Sequence, residues 1–199
     1  MKLPYWIGLL IASFGLFVFA SWQDPHVVAG LIPGLNAMKP LSAILFVISG
    51  ALLTYLSNYA RSRYRDEIGT AISVALIVFG VLSGMDSYKG GPGMVAMGEP
   101  GTGPSFVTLL AFTLYGLWGF AESGPTIPTW KQSLPAVLCM GIGLVSVIGY
   151  LTSTPVLYFQ FIGLSTAMSL PTALLFLLLG ISANFLTFTK PHPTLGEPV

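Results

Sequence analysis

Residues 68–85 read IGTAISVALIVFGVLSGM, eighteen consecutive positions with no charged side chain. That is close to the roughly 20 apolar residues an α-helix needs to cross the hydrocarbon core of a bilayer. Five more stretches read the same way: Tyr5–Trp22, Leu41–Asn58, Ser105–Glu122, Pro135–Thr152 and Met168–Phe188. Across all six the only charge is Glu122, the last residue of its stretch. Tyr5, Trp6, Trp22, Trp118 and Tyr150 lie towards the ends, where amphipathic rings sit at the membrane interface. Composition agrees. Of 199 residues, 54% are hydrophobic and 8% charged, against about 25% charged in an ordinary soluble domain. This excludes a water-soluble globule and a disordered chain, which needs low hydrophobicity and high charge. A net charge of +1 leaves no basic footprint for nucleic acid.

The connectors are rich in Gly and Pro or carry the charge. ARSRYRDE occupies 60–67, and DSYKGGPGMVAMGEPGTGP occupies 86–104. With the N-terminus inside, Lys2, Arg61, Arg63, Arg65, Lys131 and Lys190 fall on the cytoplasmic side, and only Lys39 and Lys89 fall outside. The positive-inside rule therefore places both termini in the cytoplasm. Lys2, the apolar run and the small residues near Ala20 also fit a secretory signal, but a retained first helix is expected, since its loss would leave a helix without a partner.

A motif recurs on every second stretch: SAILFVISG at 42–50, TLLAFTLYG at 108–116 and TALLFLLLG at 172–180. A hydroxyl stands first, Phe fifth and Gly ninth, and the starts are 66 and 64 residues apart. The expectation is an all-α membrane protein whose six transmembrane helices form three helical-hairpin repeats. The repeats would be 1–58, 68–122 and 135–188 in one integral membrane domain, with a short tail at 189–199. Residues four apart share a helix face, so Ser42/Phe46/Gly50, Thr108/Phe112/Gly116 and Thr172/Phe176/Gly180 each form a stripe. Glycine lets helices approach in lipid, and a hydroxyl at a helix start caps free N–H groups. Packing is the expected role. A ligand site where the stripes converge is the alternative.

Residues 31–53 and 150–181 resemble the multi-helix membrane region at the N-terminus of bacterial sensor histidine kinases and diguanylate cyclases. There a loop ending in Met-x-Pro-Asn-Thr-Ala-Leu or Met-x-x-His-Thr-Ala-Leu opens a helix with a Phe-Leu-Leu-x-Gly core. Met38, Pro40, Ser42, Ala43, Phe46 and Gly50 match the first form, and Met168, Thr172, Ala173, Leu174, Phe176 and Gly180 match the second. Leu41 and Pro171 replace the motif's Asn and His. The resemblance implies a sensory membrane module. The 199 residues carry no phosphoacceptor histidine motif, nucleotide-binding glycine box or cyclase signature, so output is expected to pass through a partner.

No constellation for chemistry stands out, so no catalytic residue and no cofactor is expected. His26 and His192 are the only histidines. Met94 and Met97, joined by His26, form the one candidate copper set; two thioethers do not complete a site. No lysine or histidine lies within a span to hold retinal or haem. Ion-coupled transport usually places charge within the membrane, and here only Glu122 approaches that. Glu122, Lys131, Asp66 and Glu67 read as solvated loop ends. Arg61, Arg63 and Arg65 read as contacts to anionic lipid headgroups. Asn184 reads as an interhelical hydrogen-bond contact in the last span, and Cys139 as a small core residue. The expected function is a non-catalytic sensory or signal-coupling module of the bacterial cytoplasmic membrane. Its partners would be lipids and another membrane or cytoplasmic protein, or further copies of itself. An accessory subunit of a larger complex and a transporter of neutral or lipophilic molecules are the alternatives.

Overall fold

In the computed structural model of the chain, the structure describes residues 3–22, 38–58, 63–88, 104–124, 129–159 and 167–189. These residues form helices α1 (Leu3–Ser21), α2 (Pro40–Asn58), α3 (Arg63–Tyr88), α4 (Phe106–Ser123), α5 (Thr129–Leu151), α6 (Pro155–Phe159) and α7 (Leu170–Thr189). All except α6 are long and apolar enough to cross a membrane, and the chain is an integral membrane protein. The helices α3 and α5 begin about a turn or more before the apolar runs, at Arg63 and Thr129. Those first turns are too polar to read as span, and α5 contains Pro135, which reads as a breaker. Pro135 is the seventh residue of α5, past the first turn, and so leaves that helix one backbone N–H donor short.

Two classes of helix emerge. In α2 and α4, 67% of the span is buried, and in α7 56%; in α1, α3 and α5 the shares are 28%, 33% and 28%. The helices α2, α4 and α7 touch one another at the centre, and the other three lie outside them. The main partner of each outer helix is the inner helix that follows it: α1 with α2, α3 with α4, α5 with α7. Each outer helix also touches a second inner helix: α1 touches α7, α3 touches α2 and α5 touches α4. Three hairpins therefore close a ring in which every outer helix bridges two of them.

The recurring motif sits where the ring closes. Phe46, Phe112 and Phe176 are fully buried and meet in a triangle, with ring centroids 4.8, 4.8 and 4.7 Å apart. Such aromatic pairs contribute about 0.5–1.5 kcal/mol each beyond their area. The glycines face elsewhere. A side-chain carbon at Gly50 would strike the α1 backbone at Gly8 and Ala12, at Gly116 the α3 backbone at Ser73, and at Gly180 the α5 backbone at Met140. Four residues turn a helix by about 40° beyond a full circle. Each stripe therefore splits: Phe points to the axis and Gly to the hairpin partner.

Capping also differs from the expectation. Ser105, three residues before Thr108, is the N-cap of α4, and its Oγ accepts from Thr108 N at 3.2 Å. Ser169 stands at the same offset and lies 2.8 Å from Thr172 Oγ1. The motif's first hydroxyl thus lies one turn inside the helix.

Candidate functional site

Between the phenylalanine triangle and the end of the bundle where α3 begins, polar groups accumulate inside the ring. Tyr115, fully buried on α4, donates its hydroxyl to the Ser49 carbonyl of α2 at 3.4 Å. Trp118 lies beside it, ring centroids 5.1 Å apart, and its indole N–H donates to Thr187 Oγ1 of α7 at 3.0 Å. One turn further along α4 is Glu122, only 3% exposed, with Oε2 3.5 Å from the same Thr187 oxygen. On α3, Arg65 is 2% exposed. Its Nη2 donates to the Leu56 carbonyl of α2 at 2.8 Å, and its Nη1 to Asp66 at 3.0 Å. Gly69, one turn on, seats against Ser123 and Leu56. That close approach holds the start of α3 beside the end of α4. Gln132 of α5 donates to the Ala121 carbonyl at 3.2 Å. All three hairpins are thus tied at this end by polar bonds.

Local sequence explains the placement. Tyr115, Trp118 and Glu122 are spaced by three and four residues and so share one face of α4. Arg65 and Asp66 occupy the first turn of α3, where Asp66 also complements the helix dipole. A charge taken out of water needs hydrogen-bonded partners, and a guanidinium has five donors in a fixed fork to find them. Arg65 uses that fork on the end of the neighbouring helix.

The chemistry available centres on Thr187. A threonine hydroxyl has one proton and two lone pairs. One lone pair takes the Trp118 N–H, and the proton points either to the Ala183 carbonyl at 3.0 Å or to Glu122 at 3.5 Å. Three buried hydroxyls, Ser49, Ser123 and Ser182, have no hydrogen-bond partner among the described residues.

Several readings change. Glu122, expected as a solvated loop end, is enclosed because α7 packs Thr187 against it. Of the three arginines expected at headgroups, Arg65 turns inward to cap α2. Arg63 is exposed and pairs with Glu67 at 2.8 Å, and Arg61 lies outside the described residues. Among the described residues, the Asn184 amide bonds within its own helix and not across to another: Nδ2 donates to the Gly180 carbonyl at 2.8 Å. Ser42, Thr108 and Thr172 are buried, as is Cys139. The copper candidates Met94, Met97 and His26 lie outside the described residues. Among the described residues, no three His, Cys, Asp or Glu side chains gather as a metal site. The Arg65–Leu56 bond had no signal in the sequence, since burial of one arginine among three depends on tertiary packing.

No family model and no solved structure matches the chain. It is similar to Zinc transporter 6 of Gallus gallus, 33% identical over 84 aligned residues that cover 35% of this chain. The match spans 18% of that protein's length.

Proposed function

We propose that this chain is a non-catalytic sensory or signal-coupling module of the bacterial inner membrane that acts through a partner. The carrying observation is the closed ring. Each outer helix bridges two hairpins, one phenylalanine from each hairpin meets at the axis, and bonds from Arg65, Trp118 and Gln132 tie adjacent helices at one end. A change in tilt or spacing at the lipid-facing helices would reach that end through contacts made by all three hairpins. Arg63, Arg65 and Lys131 mark it as cytoplasmic by the positive-inside rule, with Lys39 opposite. Both termini then lie in the cytoplasm, where a transmitter protein or a second copy could read the movement.

The test joins the full chain to a histidine-kinase transmitter core in proteoliposomes of differing acyl length. Mismatch between span and bilayer tilts or kinks helices, so autophosphorylation should change with bilayer thickness. Phe112→Ala should shift the thickness at which it changes. A flat response across all bilayers removes the reading.

The likeness to Zinc transporter 6 favours a second reading, transport. Vesicles loaded with a zinc-sensitive dye and carrying this chain would fill on zinc addition under that reading. They would stay dark under the first.

A further inference from the structure

A groove of about 310 Å³ runs between the last turns of α3 and the first turns of α4, at the end opposite Arg65. Gly80, Gly84 and Met85 line one wall, and Phe106, Leu110 and Thr113 the other. We propose that this groove is a binding site for one acyl chain of a bilayer phospholipid.

Four observations carry the assignment. The groove opens on the face of the molecule that meets the bilayer: Val81, Met85 and Leu110 beside it are exposed apolar side chains on spans. Its walls are dry. Among the described residues the one hydroxyl, Thr113 Oγ1, is bonded to the Leu109 carbonyl of its own helix at 3.0 Å. Apolar hollows of about 150 Å³ stay empty of water and take benzene, so a groove twice that size suits a longer hydrocarbon. Its direction fits as well. From Phe106 to Thr113 is seven residues, about 10 Å along a helix. The groove therefore runs parallel to the helices, within the roughly 15 Å of one leaflet's hydrocarbon. Finally, it is kept open by the sequence. A side-chain carbon at Gly84 would meet only the Phe106 ring, at 3.8 Å, so any larger residue there would occupy the space itself.

Lipid tails are as apolar as the protein surface, so preference for the groove comes from packing alone. That limits the expected effect to a modest enrichment over an ordinary lipid-facing surface. The outer face of α5, with Val137, Leu144 and Ile148 exposed, supplies that surface in the same molecule.

The experiment reconstitutes the full chain in phosphatidylethanolamine–phosphatidylglycerol vesicles that contain a phospholipid with a diazirine on one acyl chain. After illumination, adducts are mapped by peptide mass spectrometry. Residues 80–85 and 106–113 should carry about fivefold more adduct than the α5 face. Gly84→Leu should erase the excess and Gly84→Ala should retain it. Gly141→Leu should also retain it, because Gly141 faces open space on α5. Even labelling of both faces in the wild-type chain would overturn the proposal, whatever the variants do. So would an excess that survives Gly84→Leu.

Discussion

Arg65 is the residue at which sequence and structure part most clearly. Read beside Arg61 and Arg63 it is one of three headgroup contacts; folded, its guanidinium caps the carbonyl end of α2 while Arg63 stays in solvent. Replacing it with Met should leave the Leu56 carbonyl buried and unbonded, at a cost of about 1–3 kcal/mol. Arg65→Lys should recover only part of this, since a compact ammonium cannot reproduce the fork to Leu56 and Asp66. Detergent-titrated unfolding followed by circular dichroism measures both. Arg63→Met, which breaks only an exposed i,i+4 pair, should change stability by less than about 0.5 kcal/mol. Glu122 differs, because Thr187 keeps the Trp118 N–H and the Ala183 carbonyl without it. Glu122→Leu should therefore fall below Glu122→Gln in stability by no more than about 1 kcal/mol in the same titration.

At the scale of elements, the three motifs divide their work by rotation about each helix. Glycine sets the distance within a hairpin, and phenylalanine joins the hairpins. Gly50→Leu should push α1 off α2 and lose the folded, monodisperse species on gel filtration, because the space is filled by α1 backbone at Gly8 and Ala12. Phe112→Ala should leave each hairpin formed but open a cavity at the axis, lowering stability by about 3–5 kcal/mol. The hairpins were legible as spacing: hydroxyl, Phe and Gly recur on every second span. The split of the stripe was not, since periodicity assigns a common face and cannot say which neighbour that face meets. Between α5 and α7, the short helix α6 and its anchors, Tyr150 stacked on Tyr158 at 4.3 Å and bonded to the Met168 carbonyl at 2.6 Å, arise only on folding.

For the whole molecule, orientation in the membrane can be measured directly. Cys139 is the chain's only cysteine and is buried, so the native background for thiol labelling is low. Lys131→Cys and Thr152→Cys stand at opposite ends of α5 and are both exposed sites. In intact bacterial cells without an outer membrane, a membrane-impermeant maleimide should label Thr152→Cys at once and Lys131→Cys only after permeabilisation. The reverse order would invert the topology and place the Arg65–Glu122 end outside.

The amino-acid sequence by itself determined the apolar environment and the six runs long enough to span it. Those depend on run length and charge content, which are local or additive properties of a chain. Only the tertiary structure decided which helices are central and that three phenylalanines meet. It alone buried Arg65 and Glu122 while Arg63 stayed exposed. Those outcomes depend on how faces from distant segments fit together. Burial of a charge, in particular, is set by whichever carbonyl or hydroxyl a neighbouring helix happens to present.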